Sequence, residues 1–324
     1  MTRLRVLLLG ASGTIGGATA AALRARGHEV VCVLRPQAQV PAAARSSPAS
    51  LRFGDVADPA WLAASVFRRG ERFDAVLSCM ASRSGEPADA WAVDFMAHHQ
   101  VMRAARHVGV PLFVLLSALC VQKPRLAFQQ AKLAFERELA ASGMDRVIVR
   151  PTAFFKSLSG QVERVRQGRP YLLLGDGRRT ACQPISDADL AHYLVDCLQD
   201  RSRWNRVLPI GGPGPAITPR EQGEALFALL GRPPRFRQVP PVLLDGIAGG
   251  LGLAARWVPA LAAKAELARI GCYYANESML VWDAQRACYD AGATPSTGRD
   301  TLFAHYAALL KGEATDARGV HAVF

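Results

Sequence analysis

Gly10-Ala11-Ser12-Gly13-Thr14-Ile15-Gly16 is the stretch that decides the fold. An apolar run, Leu4 to Leu9, precedes it with Arg5 as its only charge, and Gly17-Ala18-Thr19-Ala20-Ala21-Ala22-Leu23 follows with the composition of a helix. Strand, glycine turn and helix in that order describe a nucleotide cradle rather than a chance cluster of glycines. The first glycine permits the tight turn, the second lets backbone approach a pyrophosphate, and the third lets helix and strand pack closely. The pyrophosphate would meet free N–H groups at the helix N-terminus. Gly10, Ser12, Gly13, Thr14, Ile15 and Gly16 are therefore the first candidate cofactor-binding residues. The competing reading is a glycine-rich turn that binds nothing.

Outward from this turn, the Gly-x-x-Gly-x-x-Gly spacing resembles the short-chain dehydrogenase/reductase superfamily. Val30 to Leu34 reads as a second strand ending at Arg35. An acid there would bind the ribose hydroxyl of NAD, whereas an arginine suits the 2′-phosphate of NADP. Leu51 to Val56 is a short strand containing Asp55, which in the superfamily lies beside the adenine and which can equally cap a helix starting near Pro59. Phe73 to Met80 is a fourth, buried strand, and Ala81 follows it at the carboxyl edge of the sheet, where ligands bind in such folds. Pro111 to Leu116 and Arg146 to Pro151 are further strands, leading into Ser117 and Phe154; Arg206 to Gly212 reads as the last. Helices are expected over Trp91 to Val108, Phe128 to Ser142 and Pro219 to Leu230, with another opening at Ile185 to Asp189 on a Ser or Asp cap.

This alternation predicts an α/β, doubly wound parallel Rossmann sheet. The expected division is an NADP-binding core over 1–151, completed by about 185–211, and a smaller, mostly helical substrate lobe over 152–184 and 212–311. A loose tail is expected over 312–324, and a loop from Pro36 to Pro48.

Half of the 324 residues are apolar, enough for a sizeable core, and 39 Lys and Arg against 27 Asp and Glu give a net charge of +12. That field favours phosphorylated cofactors, acidic substrates or an anionic surface. There is no recognition motif or basic run with interleaved aromatics, so nucleic acid is not an expected partner. The seven cysteines are scattered without a Cys-x-x-Cys pair, so no metal or iron–sulfur site is expected and reduced thiols are. The first strand begins at about the fourth residue, so no signal or transit peptide is expected. Reduced thiols make a cytoplasm the expected location. Pro240 to Ala263 carries only Asp245 and Arg256 as charges and is broken by glycines. It reads as a buried helical pair of the lobe, or as an apolar wall over a hydrophobic substrate resting on a membrane surface.

In the superfamily a Tyr-x-x-x-Lys pair on the helix after the fifth strand moves the proton. Lys132 stands at the lysine position, a candidate for both cofactor binding and catalysis, but Phe128 stands where the tyrosine would be. A benzene ring offers no acid or base. Carbonyl reduction by the usual route is disfavoured, and hydride addition to a C=C bond, or cofactor binding without catalysis, stays open.

Four runs narrow this: Leu115 to Pro124, Val149 to Val162, Leu208 to Gly214 and Gly271 to Met279. Together they resemble the NADPH-dependent divinyl chlorophyllide a 8-vinyl reductases of chlorophyll and bacteriochlorophyll synthesis, an atypical branch of the superfamily. The resemblance implies an oxidoreductase of photosynthetic pigment synthesis. It uses NADPH to convert the 8-vinyl group of a magnesium tetrapyrrole to 8-ethyl. Plant members carry a transit peptide, so the resemblance also implies a phototrophic bacterium as the source. Peripheral contact with a photosynthetic membrane is suggested by the hydrophobic substrate and by Pro240 to Ala263. Candidate proton donors are Lys156, Tyr273, Tyr274 and water; Pro151 and Phe154 join the cofactor list, and Cys120, Gln122, Phe155 and Tyr274 the substrate list. The rival readings are a non-catalytic NADP-sensing or assembly protein of the same branch and a reductase of an isoflavone-like phenol.

Overall fold

The computed structural model describes residues 2–38, 40, 51–255, 257–258 and 261–314. Most of the Pro36 to Pro48 loop and most of the tail expected over 312–324 lie outside these residues. Seven parallel strands form the central sheet: β1 (Arg5–Leu9), β2 (Glu29–Leu34), β3 (Leu51–Phe53), β4 (Ala75–Ser78), β5 (Leu112–Leu116), β6 (Asp145–Pro151) and β8 (Arg206–Ile210). Their order is β3-β2-β1-β4-β5-β6-β8. The unbroken apolar runs are explained by this arrangement, because parallel strands are covered on both faces.

One face buries Val6, Leu8, Val30, Cys32, Leu77, Val114 and Val149 against α1 (Thr14–Ala25) and α4 (Asp187–Asp196). The other buries Leu7, Leu9, Val31, Val76, Phe113, Leu115 and Ile148 against α2 (His98–His107) and α3 (Ala127–Ala141). Alternate residues of each strand point to opposite faces, so one strand serves both layers. The chain changes direction across the sheet between β1 and β4, which are paired neighbours. Ligands bind outside such a switch point.

The helix expected over Trp91 to Val108 is not uniform. A turn at Pro87–Ala90 widens into a π-helical stretch, Trp91–Ala97, before α2 begins. The cap of α4 is Ser186, whose hydroxyl accepts from the Asp189 N–H. The expected cap of the Pro59 turn shifts: Asp58 accepts from the N–H groups of Ala60 and Trp61, while Asp55 closes its own turn on the Ala57 N–H.

The smaller lobe packs around Phe155, Tyr171, Leu173, Phe227, Tyr273, Met279 and Tyr306. Besides its helices α5 (Pro219–Leu229), α6 (Pro241–Ala254), α7 (Ala262–Asn276) and α8 (Leu302–Lys311), it holds two strand pairs absent from the sequence reading. Strand β7 (Tyr171–Leu174) runs parallel to β9 (Phe236–Val239), and β10 (Val281–Asp283) is antiparallel to β11 (Cys288–Asp290).

Candidate functional site

The glycine turn sits at the carboxyl end of β1. Gly10 has φ of +77°, and a Cβ there would lie 2.6 Å from the Cys79 carbonyl carbon after β4. A Cβ on Gly16 would lie 2.1 Å from the Gly10 oxygen. Both positions exclude a side chain, and helix and turn touch backbone to backbone. The first turn of α1 has no side-chain cap and no acidic residue. Its leading N–H groups therefore face outward at the positive end of the helix dipole. Ser12, Gly13 and Thr14 are exposed on this rim, and Ile15 packs on the core beneath. A diphosphate fits this cradle by charge and by backbone approach.

Lys156 arrives from the segment after β6 and donates from Nζ to Thr14 Oγ1 at 3.1 Å. It thus stands at the phosphate end. Nearby Asp187 is raised above the usual carboxylate range by burial, against the pull of Lys156. Phe154 packs on the same core cluster as Ile15 and bridges to Ile185. Pro151, the last residue of β6, is buried in register with Ile210.

Arg35 is exposed at the end of β2, across from the loop after β4. Asp89 organises that loop, accepting from the N–H groups of Arg83 and Ser84 at 2.8 and 3.0 Å and from the Ser84 hydroxyl. Burial pushes the Asp89 carboxyl up, but these bonds and the charge of Arg35 hold it below its usual range. Ala81 is exposed in the same loop. Asp55 lies at the far side of β2, in the turn after β3.

The deepest part of the site is ionic. Lys132 Nζ pairs with Asp94 Oδ1 at 2.9 Å, with side-chain exposures of 11% and 0%. The other Asp94 oxygen accepts from the Ser82 hydroxyl at 2.6 Å. One turn on, His98 Nε2 meets Ser78 Oγ at 2.8 Å, and His98 Nδ1 meets the Val93 carbonyl. Burial, then the charge of Lys132, lowers the His98 pKa to about 4. The ring is neutral at pH 7. Asp94 escaped the sequence reading. Its only signal was an acid in an apolar helix with a histidine four residues on.

Phe128, Lys132 and Glu136 share one face of α3 at four-residue spacing. Glu136 accepts from the Ser117 hydroxyl at 2.5 Å and pairs with Arg150. The Ser117 hydroxyl proton is therefore committed to a carboxylate. Phe128 belongs to the lobe's core margin, and a Cβ on Gly85 would sit 2.9 Å from Ile270 and 4.0 Å from the Phe128 ring. The loop after β4, α3 and α7 thus converge at Gly85.

Several residues expected at a substrate wall are tied elsewhere. Gln122 donates to the Leu280 carbonyl at 2.7 Å and accepts from the Trp282 N–H at 2.9 Å, which leaves it little for a magnesium ion. The Tyr273 hydroxyl is directed at the carbonyls of Cys120 and Lys123, and burial, with Cys120 and Glu277 nearby, pushes its pKa up. Tyr273 is a strut. Phe155 is buried against His305. Tyr274 is half-buried, its hydroxyl 3.7 Å from Cys120 Sγ, and burial raises both groups above their usual values. Among the described residues no group of three or more His, Cys, Asp or Glu is placed to hold a metal.

A family model described as NAD(P)H-binding matches residues 10–201. The divinyl chlorophyllide a 8-vinyl-reductase of Zea mays is 45% identical, covering 98% of this chain and 82% of its own length. That of Arabidopsis thaliana is 43% identical over 95% of this chain and 77% of its own length. A photosystem II assembly factor of Synechocystis is 25% identical over 74% of this chain and 72% of its own. Among solved structures, the Thermus thermophilus UDP-glucose 4-epimerase in complex with NAD superposes with a TM-score of 0.57 at 21% identity, covering 73% of this chain and 86% of that one. An epimerase of Methanothermobacter thermautotrophicus gives 0.62 at 19% identity, covering 74% and 80%. The epimerases share the fold.

Proposed function

Since the chain belongs to the divinyl chlorophyllide a 8-vinyl-reductase family, we propose that it reduces the 8-vinyl group of divinyl chlorophyllide a, or of its protochlorophyllide precursor, to 8-ethyl with NADPH. The observation that carries this is the 45% identity, which extends over core and lobe alike. The structure's own support is the ring of Phe128 beside Gly85 and Ile270, where a carbonyl reductase of this fold would need a phenol.

The bound nicotinamide supplies hydride. Each protein group then has a physical task. The N-terminus of α1 and Lys156 neutralise the pyrophosphate. Arg35 pairs with the 2′-phosphate, and the far edge of the adenosine site is closed by Asp55 and Ala81. Lys132, held by Asp94, points its remaining N–H bonds at the ribose and keeps the local potential positive. Phe154 stacks at the nicotinamide end, and Tyr274, backed by the buried Cys120, forms the wall toward the macrocycle. Addition of hydride to a conjugated vinyl leaves negative charge that the macrocycle spreads, so no strong acid is required at the reacting carbon. Water is the proton donor this reading favours, because Lys156 is tied to Thr14 and the Tyr273 hydroxyl to the carbonyls of Cys120 and Lys123. Much of the rate enhancement is positioning of vinyl against nicotinamide, for which effective molarities on the order of 10⁵ M or more are attainable.

The test is to mix the protein with divinyl chlorophyllide a and NADPH, follow the Soret band and separate the products. A blue shift with formation of the 8-ethyl pigment is expected. Pigment unchanged while NADPH binds would overturn the proposal and favour a cofactor-binding assembly role, of the kind named for the Synechocystis relative.

A further inference from the structure

An exposed helix face in a water-soluble protein ordinarily carries charge. The outward stripe of α6 does not. Leu243, Gly246, Gly249, Gly250 and Leu253 recur at helical spacing and are all exposed. The stripe continues toward α7, where Trp257 is 86% exposed and Val258 47%. Leu243 and Leu253 are 54% and 61% exposed. The backbone N–H of Trp257 donates to the Ala254 carbonyl at 3.1 Å, which leaves the indole free and exposed.

The surroundings of this stripe are cationic. Arg232, Arg235 and Arg237 lead into α6, and Lys264 and Arg269 stand exposed on α7. Among the described side chains between Arg232 and Arg269 the one carboxylate is Glu266, which is buried and paired with Arg269 at 3.3 Å. Apolar side chains, an exposed tryptophan and a rim in which cations outnumber carboxylates are the composition of a helix that lies in the headgroup layer of an anionic bilayer. A second copy of the chain would bring the same cations face to face. Among the described residues no helix is long and apolar enough to cross a membrane, so the contact is with its surface.

We propose that the α6–α7 hairpin docks this protein on an anionic lipid surface through Leu243, Leu253, Trp257 and Val258, with Arg237 and Lys264 contacting headgroups. Helix α7 then links lipid to site: it begins beside the docking turn and carries Ile270 against Gly85 and Tyr274 beneath Cys120. A sparingly soluble macrocycle would pass from the bilayer to the cleft along one helix. That last step rests on the proposed function; the docking does not.

The test is sedimentation with phosphatidylglycerol vesicles and, separately, with phosphatidylcholine vesicles. Binding to the anionic vesicles is expected, weakened by salt. Arg237→Glu and Lys264→Glu should each weaken it on the order of fivefold. Trp257→Ser with Leu253→Ser should weaken it at least about tenfold, with NADPH affinity and melting temperature unchanged because both side chains are exposed. No sedimentation with anionic vesicles, or binding indifferent to the double variant, would overturn the proposal. So would a double variant that alters only self-association by analytical ultracentrifugation, which would give the stripe to a second copy. Pigment turnover is measured separately, in detergent, so failure of docking and failure of the enzymatic assignment are told apart.

Discussion

Lys132 is held in place by a residue that the sequence did not advertise. Asp94→Asn keeps the shape of the carboxylate and removes its charge, leaving a nearly buried ammonium without a counterion. Disrupted buried pairs cost about 3–5 kcal/mol. The expected outcome is a fall in turnover of at least about tenfold with a shifted alkaline limb of the pH profile, while circular dichroism stays native. Arg35→Asp should weaken NADPH by roughly 10- to 100-fold, the scale of one or two charge-assisted hydrogen bonds, and leave NADH little changed. Binding isotherms for the two cofactors check this. Phe128→Tyr should bring no gain in activity; a large gain would mean that an acid is wanted there after all. His98 adds a pH signature. Its pKa is about 4 in the folded chain and near 6.5 unfolded, so the unfolded state takes the proton first as pH falls. Stability is therefore lost between about pH 6.5 and 4, by at most about 3 kcal/mol. Melting temperatures across that range should show the slope, and His98→Asn should remove it.

At the scale of elements, the glycine turn separates two neighbouring residues sharply. Gly16→Ala would drive a methyl to within 2.1 Å of the Gly10 oxygen, and the turn must move. Gly17→Ala meets only the Ala11 oxygen at 3.6 Å, an ordinary contact. The first variant should lose turnover on the order of a hundredfold, as misplacement of about 1 Å can do. The second should be neutral or more stable by up to about 1 kcal/mol. This turn, the seven strands and the position of Lys132 were legible because each is a local pattern: an apolar run, a glycine spacing, a distance along one helix. The partners of Lys132, Ser117 and Gln122 were not, because they lie 19 to 160 residues away and depend on how loops meet. The pair β7 and β9 was illegible for a similar reason. Each is four residues long, and α4, β8 and α5 all lie between the two segments in sequence.

At the scale of the molecule, one carboxylate gathers several of the contacts between the loop after β5 and the lobe. Glu277, at the end of α7, accepts from Lys123 at 2.6 Å and Arg125 at 3.0 Å, and from the Tyr289 hydroxyl. Lys123 also lies 4.0 Å over the Trp282 ring. Burial pushes the Glu277 carboxyl up, but its bonds to Lys123 and Tyr289 hold it below the usual range. Glu277→Gln should cost about 3 kcal/mol, read from the denaturant midpoint, because Lys123 loses its charge partner.

These contacts also assign the loop after β5 to a new owner. Gln122 is bonded to β10 and its approach, Lys123 to Glu277, and the Tyr273 hydroxyl to the carbonyls of Cys120 and Lys123. By its contacts the loop belongs to the lobe, although the chain enters it from the sheet. The same loop begins at Ser117, whose hydroxyl is bonded to Glu136 one turn from Lys132 on α3. One short covalent segment therefore joins the tyrosines of α7 to the helix that carries the buried ion pair.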